Sequence, residues 1–174
     1  RDAMIAGVTL NIFNNHADRV RIANLAQAVN VLQAVILTNK EKMILTPTYH
    51  VMEMYNVHQD ATMLPIKIVS NDYTFGAEKL PAVSVSASKD KSGVTHISLV
   101  NIDASKSQDI TVNINGAKYT SVTGRIITSK KLQDYNSFDE PNKIQPTEFK
   151  DAKLLPNSLQ VKLPPFSVVV LTLK

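Results

Sequence analysis

The two parts of this sequence follow different hydrophobic periodicities. Up to about residue 60, apolar residues recur mostly at helical spacing, whereas after Leu64 they alternate with polar residues in short runs typical of β-strands. A mixed segment of that length is too short to enclose a hydrophobic core by itself. We therefore expect residues 1–63 to be an incomplete piece of a larger α/β domain, residues 64–174 to be a separate β domain, and the boundary to lie at residues 61–65.

The first part begins with a predicted helix. Asp2 is expected to cap it. Its apolar residues at helical spacing are Met4, Ile5, Val8, Ile12 and Phe13. Residues 20–26 then alternate in polarity, which favours either a buried strand or a continuation of the helix, and periodicity alone does not decide between them.

A hairpin and a second helix follow. Two apolar runs, at residues 35–38 and 43–46, flank a polar turn and predict the hairpin. Thr46 followed by Pro47 indicates a helix start, because the hydroxyl can accept a free backbone N–H and proline lacks only an N–H that the first turn does not use. This helix is expected to end near residues 58–60 and to turn Tyr49 and Met52 inward.

The second part predicts a mainly β fold. Strands are expected at residues 80–88, 94–101, 110–114, 121–128, 158–163 and 167–173. In the first of these, apolar residues alternate with serines, which predicts one buried face and one face in water. Asn115-Gly116 predicts a type I′ turn, with the strand resuming over residues 117–119. The pattern is typical of a jelly-roll-like antiparallel β-sandwich, preceded here by the α/β segment.

Composition excludes several classes of partner. The 19 basic and 15 acidic residues give a net charge of +4 and are interspersed, so we predict neither a nucleic-acid partner nor a membrane partner. No apolar stretch reaches the roughly 18 residues that a membrane span requires. The first residues lack the pattern of a signal peptide. A periplasmic or extracellular location is therefore expected only if a signal peptide precedes Arg1.

Candidate chemistry is sparse. No nucleophile-elbow, phosphate-loop or zinc-protease motif is present, and no cofactor is predicted. His50 and Glu53 share a helix face, but we interpret them as a surface pair and predict no metal site. Acidic residues that could act in pairs, as a glycosidase requires, are expected on the surface instead. These residues are Glu41, Glu53, Asp60, Glu78, Asp139, Glu140 and Glu148.

An amide cluster is the strongest binding candidate. Asn24, Gln27 and Asn30 follow an apolar segment, where amides need either structural hydrogen bonds or a polar ligand. Aromatic residues make up 6% of the chain and tryptophan is absent, which argues against a sugar-stacking surface on the sandwich.

Several stretches closely resemble the α-L-arabinofuranosidases of glycoside hydrolase family 51. They are residues 10–13 (LNIF), 16–20 (HADRV), 23–27 (ANLAQ), 29–33 (VNVLQ), 45–55 (LTPTYHVMEMY), 57–61 (VHQDA), 136–142 (NSFDEPN) and 163–167 (LPPFS). The resemblance implies a (β/α)₈ barrel followed by a jelly-roll sandwich, with residues 1–63 forming the C-terminal end of the barrel. It also implies a retaining hydrolase that releases terminal arabinofuranose from arabinan and arabinoxylan.

The resemblance implies that both catalytic glutamates lie upstream of Arg1, so no catalytic residue is assigned in this chain. The C-terminal ends of barrel strands carry the active site, which would bring five residues near the sugar: Asn24, Gln27, Asn30, Thr46 and Thr48. Thr46 is equally explained as a helix cap.

Two functions remain open. The chain is either a portion of an arabinofuranosidase that is inactive alone, or a non-catalytic sandwich acting as an accessory or carbohydrate-binding module. In the first case, residues 1–60 should expose apolar surface and favour a homo-oligomer. The expected partner is an arabinose-containing polysaccharide or oligosaccharide.

Overall fold

Short strands dominate the chain. The computed structural model describes residues 1–174. Its helices are α1 (Asp2–Asn15) and α2 (Pro47–Tyr55), and a 3₁₀ turn, Asn56–His58, continues α2. Its strands are β1 (Ile36–Asn39), β2 (Lys42–Leu45), β3 (Thr62–Met63), β4 (Asp72–Phe75), β5 (Glu78–Pro81), β6 (Val83–Lys89), β7 (Thr95–Asn101), β8 (Gln108–Asn113), β9 (Val122–Ile127), β10 (Thr147–Glu148), β11 (Ala152–Leu155), β12 (Ser158–Leu163) and β13 (Ser167–Leu173).

Two antiparallel sheets form the sandwich. The larger has six strands in the order β10-β9-β13-β7-β6-β3, and the smaller has three in the order β11-β12-β8. Two further hairpins, β1-β2 and β4-β5, stand outside them. The expected fold class, a mainly β antiparallel sandwich preceded by an α/β segment, is confirmed.

The six-stranded sheet is buried on both faces. Its inner face packs against the smaller sheet, where Leu99, Leu171 and Leu159 lie in a core of 13 buried residues. Its outer face packs against α1 and α2, where Val100, Val168 and Val51 belong to a second core of nine buried residues. The helices and the smaller sheet therefore cover opposite sides of the same strands.

The predictions for residues 35–58 are largely confirmed. The hairpin pairs Ile36 with Leu45 and Asn39 with Lys42. Thr46 caps α2, with its side chain accepting a hydrogen bond from the backbone N–H of Tyr49. The predicted inner face is wrong, since α2 buries Thr48, Val51, Met54 and Tyr55 instead. Helix α1 is confirmed but begins at Asp2, with Arg1 in the cap position and no side-chain cap.

Residues 20–26 form neither of the predicted alternatives. They contain no helix or strand, and Ile22 is 74% exposed. Nearby, an isolated bridge pairs Val29 with Ile36 in parallel. A strand needs a neighbouring strand to satisfy its backbone groups, and none lies beside residues 20–26.

Two expectations for the sandwich are wrong. The serine face of β6 is not in water, because α1 covers it and Ser86 is 0% exposed. Asn115-Gly116 does not close a hairpin, because β8 pairs with β12 and residues 117–119 form no strand. Of these two residues, only Gly116 has a positive φ, +76°. The predicted strand at residues 80–88 is divided between β5 and β6.

The helices lie directly on the sandwich, and α1 contacts β6, β7 and β13. The division into residues 1–63 and 64–174 stays a prediction. Neither helix has the length and hydrophobicity needed to cross a membrane.

Candidate functional site at the helix–sheet interface

Asn11 is the centre of a buried polar network between α1, α2 and β6. It lies on the inner side of α1 and is 0% exposed. Its Nδ2 donates to Ser84 Oγ at 3.2 Å, and its Oδ1 accepts from Tyr55 OH at 3.0 Å and from Ser86 Oγ at 2.8 Å. Both polar atoms of the amide therefore have partners, which fixes α1 along the strand direction.

Tyr55 joins the two helices. Its hydroxyl also lies 3.3 Å from the carbonyl oxygen of Gly7, and burial raises the pKa of the Tyr55 phenol. Gly7 permits the close approach, because a Cβ at this position would lie 2.9 Å from Val100 Cγ2. Residue 7 must therefore be small for α1 to reach the sheet.

His58 connects the end of α2 to the sheet. Its Nδ1 lies 2.7 Å from Ser88 Oγ and its Nε2 lies 2.5 Å from Ser98 Oγ. Burial, and to a smaller extent the nearby His96, together lower the pKa of His58 to about 4. The imidazole is therefore neutral at pH 7, with one ring nitrogen donating and the other accepting.

A surface ion pair joins α2 to β9. Arg125 donates from both terminal nitrogens to the two carboxylate oxygens of Glu53, each at 2.8 Å. The pKa of His50 is lowered, mainly by partial burial, while Glu53 raises it and Arg125 lowers it. Glu53 therefore pairs with an arginine rather than forming a ligand pair with His50.

The structure does not gather the predicted amides around a cleft. Asn24 and Gln27 are exposed. Asn30 adopts a φ of +54° and contacts Thr38 twice: its Nδ2 donates to the Thr38 hydroxyl at 2.7 Å, and its Oδ1 accepts from the Thr38 backbone N–H at 2.7 Å. Asn30 thus holds the loop against the hairpin.

The two predicted threonines have structural contacts. The Thr46 hydroxyl donates to the carbonyl of Ala34 at 2.9 Å in addition to capping α2. Thr48 lies in the first turn of α2 and is 6% exposed. Whether any of the five residues contacts a sugar stays a prediction.

The acidic residues show no arrangement for acid–base catalysis. The shifted carboxyl groups have lowered pKa values, whereas a general acid needs a raised one. In Asp90, the hydrogen bond from Ser92 is the main cause, and in Asp134 it is the hydrogen bond from Ser129. No three His, Asp or Glu side chains lie together as metal ligands would. The contacts of this interface position the two helices on the sheet.

Sequence reasoning missed the network around Asn11 and His58. A usable signal exists in the four-residue spacing of Ala3, Gly7 and Asn11, which places two small residues and an amide on one helix face. The serines of β6 are the complementary signal, because they provide hydroxyl partners for buried amides.

Comparison with known proteins assigns the family. The family model described as the α-L-arabinofuranosidase C-terminal domain matches residues 1–167. The chain belongs to this family. It is 47% identical over 175 residues to an intracellular exo-α-L-arabinofuranosidase of Bacteroides ovatus, an alignment covering 100% of this chain and 34% of the relative. The resemblance to glycoside hydrolase family 51 is thus confirmed.

Solved structures of such enzymes have the same fold. The family 51 arabinofuranosidase of Xanthomonas axonopodis pv. citri is 44% identical, with a TM-score of 0.96 over 99% of this chain and 35% of that chain. An α-L-arabinofuranosidase of Thermotoga maritima, solved as an arabinose complex, is 23% identical and supports the fold alone, with a TM-score of 0.84 over 98% of this chain and 37% of that chain. This chain spans about a third of the length of these relatives.

Proposed function

We propose that this chain is the C-terminal portion of a retaining α-L-arabinofuranosidase that hydrolyses terminal arabinofuranosyl side chains of arabinan or arabinoxylan. In this proposal residues 1–63 are the end of a (β/α)₈ barrel, residues 64–174 are the accompanying sandwich, and both catalytic glutamates lie in the remainder of the enzyme. The family match and the coverage of about a third of each relative support it.

The contribution of this chain is to hold the last barrel helices in place. The contacts of Asn11 and His58 with the sheet support this role, together with the hydrogen bond from Tyr55 of α2 to Asn11 of α1, because they fix α1 and α2 in one position. The sandwich thereby sets where the segment that follows α1 lies.

Apolar residues left uncovered support the barrel assignment. Six large hydrophobic side chains of residues 1–63 are exposed. Contact of apolar surface with water is unfavourable unless another element covers it. The six side chains are Ile5, Ile12, Ile22, Val29, Leu32 and Met43. We infer that residues 20–28 become a strand when neighbouring barrel strands are present, and that this surface promotes a homo-oligomer when they are not.

The substrate contacts are assigned to the same region. We place Asn24, Gln27 and Asn30 at the end of that strand, facing the arabinose, because Asn24 and Gln27 are exposed amides available to a polar ligand. Thr46 and Thr48 would lie near the sugar as supports of the loop, since Thr46 caps α2 and Thr48 lies in its first turn.

A fusion tests the function. Residues 1–174 would replace the matching third of the Bacteroides ovatus relative, and the fusion is expected to release 4-nitrophenol from 4-nitrophenyl α-L-arabinofuranoside. This chain alone and the remainder of the relative alone are expected to release none. A Gln27→Ala fusion should lose activity with unchanged folding, while a Gln59→Ala fusion, altered at an exposed site beyond α2, should keep it.

Clear turnover by the isolated chain would contradict the proposal. Tight binding of arabinan by the isolated chain, measured by calorimetry, would favour the accessory or carbohydrate-binding module instead. Light scattering tests the association of the exposed surface, and a strict monomer at high concentration would count against the homo-oligomer.

A further inference from the structure

His58 is a partly buried contact whose charge state depends on pH. It lies where α2, β6 and β7 meet, and its two nitrogens contact the hydroxyls of Ser88 and Ser98 at 2.7 and 2.5 Å. Its ring packs edge-on against Tyr55, with centroids 5.5 Å apart. A neutral imidazole satisfies both contacts, since one serine hydroxyl can donate to the unprotonated nitrogen and the other can accept from the N–H.

The surroundings offer no negative charge to a protonated His58. From β7 the facing titratable group is His96, at a centroid distance of 6.5 Å, and from α2 it is Tyr55. Strand β6 carries one charged residue, Lys89, which is exposed. Arg21 and Asp60 line the same surface pocket as His58, and both are exposed to water. Asp90 pairs instead with His96, 3.5 Å from its Nε2.

A proton on His58 would therefore be a partly buried charge beside a second histidine. Such a charge is unfavourable without a carboxylate partner. Release of the 3₁₀ turn from the sheet would expose the ring to water and remove this cost.

We propose that the docking of α1 and α2 onto the sandwich is sensitive to pH, with protonation of His58 as the event that loosens the helices in acid. The inference concerns contacts within this chain and holds independently of the proposed hydrolase function.

The sandwich should remain folded when the helices loosen. The core between the two sheets is formed by apolar residues and contains no histidine. The helices rest on the separate core on the opposite face of the six-stranded sheet. Acid should therefore affect the two sides of this sheet differently.

The direction and size of the pH effect on helix docking follow from proton linkage. The pKa of His58 is about 4 when docked, against an ordinary value of 6.5. The released state binds more protons between these values, so docking is strongest above about pH 6.5 and weakens as the pH falls towards 4. The difference corresponds to a docking equilibrium weakened by up to about 300-fold.

Hydrogen exchange measures the effect on the full 174-residue chain. Protection factors, corrected for the intrinsic pH dependence of exchange, would be compared at about pH 7 and about pH 4.5. Protection of α1 and α2 is expected to fall by tens of fold relative to β12 and β13. His58→Gln, which stays neutral, should abolish most of this fall, whereas His16→Gln, at an exposed site, should not.

Two results would overturn the inference. One is an equal acid-induced loss of helix protection in the chain with His58→Gln and in the unchanged chain. The other comes from an NMR titration of the unchanged chain, which remains decisive if the variant does not fold. That titration should show His58 neutral down to about pH 5, and a pKa at or above the ordinary value would refute the proposal.

Discussion

Replacing Asn11 by alanine should loosen α1 from the sheet. The substitution removes three hydrogen bonds, to Ser84, Ser86 and Tyr55. At about 1 kcal/mol net for each bond, the loss is about 3 kcal/mol. Alanine recovers roughly 0.6 kcal/mol through its higher helix propensity, and Tyr55 keeps its contact with the carbonyl of Gly7. The free energy of unfolding of the helix layer should therefore fall by about 2 to 3 kcal/mol.

Urea unfolding followed by circular dichroism at a helix-sensitive wavelength measures this loss. For a chain of this length, the corresponding fall in melting temperature is about 5 to 10 °C. Thr9→Ala, at an exposed site on the same helix, is the matched control and should raise stability by roughly 0.6 kcal/mol through the same gain in helix propensity. If Asn11→Ala is no more destabilising than Thr9→Ala, the buried network does not hold α1 to the sheet, and the reasoning fails.

Two other changes test the contacts around β9. Gly124→Ala should destabilise the sandwich by about 1 kcal/mol, because a Cβ there would lie 2.7 Å from Leu171 Cδ2 and 3.1 Å from Phe149 Cβ; a higher midpoint in urea would contradict this. Arg125→Ala should cost less than about 1 kcal/mol, because its pairing with Glu53 is partly exposed to solvent. A double-mutant cycle over Arg125 and Glu53 measures the pairing itself, and a coupling well above 1 kcal/mol would show that solvent screens it less than expected.

Features that depend on neighbouring residues could be predicted from the sequence. The hairpin from Ile36 to Leu45 and the cap at Thr46 are local, since their turn and hydrogen-bonding groups lie within a dozen residues. The long strands of the sandwich were also predictable, because alternation continues through strands such as β12 and β13 is a short, nearly continuous apolar run. The family resemblance added the identity of the domain, which periodicity alone does not provide.

Features that depend on distant partners could not be predicted. The alternation in β6 shows two different faces, but it does not show that α1 covers the serine face with a matching amide. Asn115-Gly116 has the right residues for a hairpin, yet β8 pairs with β12, about 45 residues further along the chain. Turn chemistry is a weak guide when a distant strand competes for the same edge.

In the candidate site, too, the residue types could be predicted from the sequence but their contacts could not. The exposed amides Asn24 and Gln27 were recognisable as a cluster, but the sugar-binding role that we propose for them depends on the further barrel strands of the same proposal. Asn30 carries the same type of side chain and is engaged by Thr38. The type of a side chain alone therefore does not show whether the residue binds a ligand or stabilises a loop.

The position of β13 has a consequence for biosynthesis. This strand lies between β7 and β9 and pairs with both, although it follows them in the chain. As the polypeptide leaves the ribosome, β7 and β9 emerge first and have no partner in common until residues 167–173 appear. A nascent chain halted before that point would display two unjoined strand edges, and we expect it to need protection by a chaperone.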